Sequence, residues 1–208
     1  AAAVYRFPGL RVIRQDFEET LLSFCAATAS SVPRITRNVR LLSEHLGNPI
    51  PDAGGVHSFD FPSAFSIAEA PHELLATGCN LAYRADHLQR VAAVVCERGS
   101  GWLARVSELP YREAHAELDA LAHIGPKLAD CICLIGLNHW EAVPVDTHIW
   151  AISRDLFGDA IRTRTLTPST YRAIAERWRQ VFGDLAGVAQ QWLFHARRVD
   201  QGRVPTCA

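Results

Sequence analysis

The sequence predicts an all-α protein built as two helical lobes, and three observations carry that expectation. Apolar residues recur at helical spacing almost throughout the chain. The periodic segments are bounded by Gly, Pro and short polar capping residues. Neither a long strand pattern nor βαβ alternation occurs, which excludes nucleotide-binding α/β folds. With 208 residues, 49% of them hydrophobic, the chain can bury a core in one large domain or two small lobes.

The elements follow in order. Asp16 is placed to cap a helix carrying Phe17, Leu21, Leu22, Phe24 and Cys25 on its apolar side. A second helix is predicted over Pro33–Leu46, with Pro33 in its first turn and Gly47 past its end. Asn48–Pro62 is rich in Pro, Gly and Asp and reads as a loop. Short helices are predicted over Ser63–Ala70 and Pro71–Thr77, and a longer one over Arg84–Glu97, stopped by Gly99. A helix starting after Pro110 carries Ala114, Leu118, Leu121 and Ala122 along one face. Further helices are predicted over Lys127–Leu137, Thr147–Leu156, Pro168–Phe182 and Leu185–Arg197, and a polar, frayed tail from Asp200.

Composition narrows the function classes. The net charge of −1 excludes a chain that binds nucleic acid through overall basicity, so any DNA affinity comes from a local patch or from aimed backbone N–H groups. No stretch approaches the roughly 20 apolar residues of a membrane span, and no signal peptide is visible. Six scattered cysteines, Cys25, Cys79, Cys96, Cys131, Cys133 and Cys207, show neither an iron–sulfur ligand set nor a zinc finger. The expectation is a reduced, intracellular protein with no metal and no cofactor. The chain begins Ala1-Ala2-Ala3 and has no methionine, which reads as a fragment or a processed form.

Of the 21 basic residues, Lys127 is the only lysine. Guanidinium stays protonated, so a lysine is hard to replace only where a deprotonatable amine is needed. Composition alone leaves that reading and chance survival both open. The surroundings say more. From Leu118 to Asp130 an amphipathic helix ends, a tight turn with Gly125 follows, and a second helix begins at Pro126–Lys127. This is the layout of a helix-hairpin-helix, spanning about residues 118–137, although an ordinary αα-hairpin with a glycine turn has the same pattern. Such a turn aims backbone N–H groups and a helix dipole at a phosphate, a contact that ignores base sequence. Lys127 falls in the first turn of the second helix, where the dipole disfavours an ammonium and suits an amine that attacks a sugar carbon. Asp146, in Val143-Pro144-Val145-Asp146-Thr147-His148, precedes a helical run. It reads as an N-cap, and as a carboxylate able to stabilise cationic sugar character.

The run from Ile124 to His148 resembles the helix-hairpin-helix DNA glycosylases that carry a Gly/Pro…Asp motif, here over 141–155. Within them the chain is most similar to the 8-oxoguanine DNA glycosylases. The similarity rests on Leu128-Ala129-Asp130-Cys131-Ile132-Cys133-Leu134 and Ala142-Val143-Pro144-Val145-Asp146-Thr147-His148-Ile149-Trp150. It extends to Leu10–Thr36, Tyr83-Arg84-Ala85, Ala189-Gln190 and Leu193-Phe194, nearly the whole chain. The resemblance implies base-excision repair with a lesion pocket between two helical lobes. It implies Lys127 as nucleophile at the deoxyribose C1′ and Asp146 as its orienting carboxylate. Cys131 and Phe194 would sandwich the flipped base and Gln190 read its Watson–Crick edge. His148 and Gly125 would approach phosphates. Arg34 and Arg84 would hydrogen-bond the unpaired cytosine, with Tyr83 wedged beside it. The implied partner is double-stranded DNA containing oxidised purine, bound by a monomer in the nucleus of a eukaryote or the nucleoid of a bacterium.

Three departures from the family pattern stand out. The turn reads Ala122-His123-Ile124-Gly125 where the family has Pro-Gly-x-Gly, so a side chain at 123 is expected to alter the turn's φ angle or its carbonyl-bound cation. Ala29-Ser30-Ser31 stands where the family has asparagines, weakening the preference for cytosine opposite the lesion. The N-terminal β-rich domain of relatives is absent from this sequence. The alternatives are a glycosylase for another damaged base and a non-catalytic hairpin module or inactive fragment.

Overall fold

Side-chain caps set the starts of three long helices. In the computed structural model, which describes residues 2–51, 57–161 and 165–202, Asp16 accepts from the Glu19 amide at 3.0 Å and opens helix α2, Phe17–Ala27. Asp146 accepts from the Ile149 amide at 2.8 Å and opens α8, Thr147–Phe157. Thr167 accepts from the Thr170 amide at 3.2 Å and opens α9, Pro168–Phe182. Each cap satisfies one of the donors that a helix start leaves without a carbonyl.

The remaining elements are α1 (Ala2–Arg6), α3 (Val32–Leu46), α4 (Ala64–Ala68), a π-helical turn (Leu74–Gly78), α5 (Arg84–Glu108), α6 (Tyr111–Asp119), α7 (Pro126–Gly136) and α10 (Ala186–Asp200). Short 3₁₀ turns occupy Gly158–Ile161 and Gly183–Leu185. The all-α prediction therefore holds, and three details differ. The predicted loop at 48–62 contains a two-residue antiparallel pair, β1 (Pro49–Ile50) with β2 (Ser58–Phe59), in register Pro49 to Phe59. Residues 52–56 of that loop, Cys207 and the polar tail past Gly202 lie outside the described residues. The helix predicted to stop at Gly99 bends there, at φ 70° and ψ 178°, and resumes to bury Trp102 and Val106. Leu121 is buried but lies past the end of α6, and Ala122 is exposed in the turn instead of extending the helix face. Among the described residues, no helix is long and apolar enough to cross a membrane.

The chain divides into two compact units. One holds Gln15–Ile132, and in it α2 and α4 pack on α5 through fully buried Leu21, Leu22, Ile67 and Leu88. The other holds Ala1–Arg14 with Cys133–Ala208. Its core gathers Val143, Val145, Ile149, Ile152, Tyr171, Ile174 and Trp178. The Trp178 indole donates to Ser153 Oγ at 2.7 Å, and Ser153 donates to the Ile149 carbonyl at 2.6 Å, so α9 is fixed to α8 by a buried chain of hydrogen bonds. Trp192 donates to the Phe7 carbonyl at 3.2 Å, joining α10 to the segment after α1.

Gly187 lets α10 approach the 140–142 loop. Its amide donates to the Trp140 carbonyl at 2.7 Å. A Cβ there would run into the Ala142 carbonyl and sit 2.8 Å from Leu134 Cδ1. Because one obstacle is backbone, Gly187→Ala is expected to destabilise this unit by about 2–3 kcal/mol. Urea unfolding checks this, and an unchanged midpoint would remove the close approach from the account.

Candidate active site

The glycine turn and the proline after it place Lys127. The Gly125 carbonyl accepts from the amides of Leu128 and Ala129 at 2.9 and 3.0 Å, which makes Gly125 the cap position of α7. Pro126 fills the first helical position, where a missing N–H costs nothing. Lys127 follows at the second position and is exposed. Its own amide has no carbonyl one turn back, as at any helix start, so this end of α7 presents a donor and the positive end of a dipole. Gly125 does not use a left-handed φ; His123 does, at φ 69°. The turn thus keeps a glycine-like backbone angle with an imidazole on it.

Behind the turn lies a buried carboxylate. Asp130 is 1% exposed and accepts from the Tyr111 hydroxyl at 2.6 Å. His115 Nε2 is 3.8 Å from the same Asp130 oxygen and 3.2 Å from the Pro126 carbonyl. These contacts tie α6 to the first turns of α7. Cys131, the next residue on α7, is 7% exposed.

Two loops in the same unit are braced by a second polar network. Arg84 is buried, and its guanidinium donates to the carbonyls of Thr28, Ala29 and Leu81. Asn38 and Asn80 exchange hydrogen bonds at 3.2 and 3.1 Å. Together they hold Ala29, Asn80 and Ala82 at positive φ. Tyr83 stands 57% exposed at the start of α5, with the Arg84 guanidinium 4.8 Å from its ring centre. Arg34 lies exposed in the first turn of α3. The structure therefore treats the two sequence-predicted arginines differently: Arg34 is exposed, whereas Arg84 uses three of its N–H donors to shape the loop before Arg34.

In the other unit, Asp146 is half-buried at the α8 cap. The Tyr171 hydroxyl donates to the Val143 carbonyl at 3.3 Å and accepts from the Val145 amide at 3.4 Å, pinning the segment that delivers Asp146. His148, on the first turn of α8, meets Phe194 edge-on at 5.7 Å. Gln190, on α10, is 3% exposed, and its carbonyl oxygen accepts from Gln191 at 3.0 Å. A buried glutamine on a helix face is costly unless it has hydrogen-bonding work to do. Lys127 and Cys131 belong to one unit, and Asp146, His148, Gln190 and Phe194 to the other.

Comparison with known proteins shows what the chain resembles. The chain is 34% identical over 191 residues to the N-glycosylase/DNA lyase OGG1 of Arabidopsis thaliana, covering 90% of this chain and 52% of that protein. It is 29% identical to the N-glycosylase/DNA lyase of Saccharomyces cerevisiae over 70% of this chain and 41% of that one. The structure matches the 8-oxoguanine glycosylase/lyase of Clostridium acetobutylicum, solved in complex with dsDNA containing cytosine opposite 8-oxoG. That match has a TM-score of 0.84 at 28% identity, over 96% of this chain and 66% of that one. The chain is thus similar to the 8-oxoguanine DNA glycosylases over nearly its whole length. No protein-family model matches it. The chain spans about half the length of these curated relatives.

Sequence reading missed several residues that set the geometry of these segments: Asn38, Asn80, Asp130 and Tyr171. Each is a polar residue whose partner is distant along the chain, so no local pattern announces it. The one available signal was chemical, since Asp130 is a polar residue amid an apolar run.

Two substitutions test these positioning roles. Arg84→Ala removes three hydrogen bonds from a buried cation and is expected to cost about 3 kcal/mol of stability by chemical denaturation. A residue that only contacts DNA would leave unfolding unchanged. Tyr171→Phe leaves the Val145 amide without its buried acceptor and is expected to cost about 1–2 kcal/mol. An unchanged unfolding midpoint would detach Tyr171 from the segment that delivers Asp146.

Proposed function

We propose that this chain carries the catalytic part of a base-excision DNA glycosylase with abasic-site lyase activity, acting on 8-oxoguanine opposite cytosine. The observation that carries the reading is the placement of Lys127. The only lysine of the chain is an exposed primary amine at the second position of a helix that begins on a glycine hairpin. The family relationship supports the same reading.

In the proposed reaction, the hairpin and the α7 N-terminus hold a backbone phosphate while the lesion nucleotide is extrahelical. The neutral Lys127 amine bonds to the deoxyribose C1′. The C1′–N9 bond breaks, and its electron pair leaves with the base, which is then protonated. Loss of a proton from nitrogen and opening of the sugar give a Schiff base. Removal of a C2′ proton then expels the 3′ phosphate, nicking the strand 3′ to the lesion. Asp146 stabilises positive character on the sugar as the base leaves. Gln190 reads the base edge, while Cys131 and Phe194 supply the faces against which it lies. His148 approaches a phosphate. Tyr83 and Arg34 engage the opposite strand, with Arg84 holding the loop that leads to Arg34. The proposed partner is double-stranded DNA, bound by a monomer inside the cell.

Borohydride trapping tests the reading. Duplexes holding 8-oxoguanine opposite cytosine, thymine glycol or an abasic site are incubated with the protein and reduced. The expected result is a covalent adduct with the 8-oxoguanine and abasic duplexes, lost in Lys127→Gln. With one lysine in the chain, the N-terminal amine is the only other backbone-borne source of a Schiff base. An adduct that persists in Lys127→Gln would therefore sink the assignment. Duplex binding with neither adduct nor base release would identify a non-catalytic hairpin module, and preference for thymine glycol would move the lesion class.

A further inference from the structure

We infer that Asp86, His87 and His123 form a transition-metal site that ties the hairpin turn to the first turn of α5. His123 projects from the turn between α6 and α7, and its ring stacks on His87 at 3.9 Å and 14°. His87 and Asp86 are neighbours at the start of α5. One donor atom from each of the three lies within 4.8 Å of the others.

The donor set fits a borderline divalent cation of the zinc type. Two imidazoles and one carboxylate supply three ligands, and water completes a tetrahedral shell. Metal–donor distances of about 2.0–2.1 Å require donors roughly 3.4 Å apart. The donors now lie within 4.8 Å of one another, so metal binding would draw them together and unstack the two rings. The side chains have room to turn: His123 is exposed and the Asp86 side chain is 49% exposed. Arg90 binds one Asp86 oxygen at 2.9 Å. A carboxylate has a second oxygen, so the ion pair and a metal are compatible.

His123 also accounts for a cost. A residue with a Cβ at φ 69° is strained by about 1–2 kcal/mol relative to glycine. An imidazole as metal ligand gives the side chain at this turn a task that offsets the strain. The consequence concerns the DNA-facing elements of this unit. Tyr83 meets His87 edge-on at 5.7 Å, so the metal joins the turn preceding Lys127 to the segment that carries Tyr83. The site does not depend on the excision chemistry, and it uses side chains, not the turn's carbonyls.

The test uses metal-stripped full chain without DNA, titrated with Co²⁺ as a visible probe and then with Zn²⁺ as competitor. The expected result is one equivalent of Co²⁺ with tetrahedral d–d absorption, displaced by Zn²⁺. His87→Ala and His123→Gly should each weaken Zn²⁺ binding at least tenfold. His123→Gly relieves the backbone strain, so its metal-free Tm should equal or exceed that of the parent chain while the Zn²⁺-induced rise in Tm is lost. Equal Zn²⁺ affinity in parent and both variants would assign the metal to other histidines or cysteines and overturn the site. No binding at micromolar Zn²⁺ would overturn it too. Neither result bears on borohydride trapping, so this proposal and the glycosylase reading fail separately.

Discussion

The hydrogen bond from the Tyr111 hydroxyl to the buried Asp130 carboxylate is the constraint on which the hairpin depends. A helix-hairpin-helix works only if its second helix starts at a fixed place, because the donors of the first turn must face one phosphate. Propensity does not fix that place. Glycine at 125 and proline at 126 permit a helix start, but α6 and α7 could still slide by a residue. A buried carboxylate tolerates no such slip, since losing a charged hydrogen bond away from water costs several kcal/mol. Asp130 sits one turn into α7 and receives Tyr111 from the first turn of α6. His115, one turn further along α6, reaches the Pro126 carbonyl. The register that places Lys127 is thus set by polar contacts behind it.

The other unit delivers Asp146 by a comparable device. Val143, Val145 and Ile149 enter the apolar core, which fixes the depth of the segment but not its rotation. The Tyr171 hydroxyl supplies the rotation by binding both the Val143 carbonyl and the Val145 amide. Asp146 then caps α8 with one oxygen, so its carboxylate is held by backbone and not by a flexible side-chain partner. A carboxylate held this way has little freedom left to lose, which is the general advantage of a preorganised site.

How much of this was legible in sequence follows from the range of each signal. Asp16, Asp146 and Thr167 announce helix starts because a cap acts over three residues. Gly125-Pro126-Lys127 announces the hairpin for the same reason. The continuation of α5 past Gly99 was not legible, because Gly99-Ser100-Gly101 has the composition of a stop and only the burial of Trp102 and Val106 carries the helix through. Leu121 fits the apolar period of α6, yet the chain leaves the helix at Asp119 and buries Leu121 from the turn. Arg84 matched a family position, but the sequence could not say that its guanidinium faces three carbonyls. The Asn38–Asn80 pair and the His87–His123 stack depend on tertiary contact alone.

The backbone itself distinguishes one set of loops of the Gln15–Ile132 unit. Ala29, Asn80, Ala82 and His123 all adopt positive φ without being glycine. Asparagine tolerates this angle, but two alanines and a histidine do so at a cost of about 1–2 kcal/mol each. Such strain persists only where the surroundings over-determine the conformation. Here they do: Arg84 grips the carbonyls of Ala29 and Leu81 on either loop, and Asn38 grips that of Asn80. The clamp fixes carbonyl directions instead of side-chain positions. The loops that precede Arg34 and carry Tyr83 are therefore stiff before any ligand arrives. Any ligand that engages these loops gains from this, because the ordering cost is met at folding and not charged against each binding event.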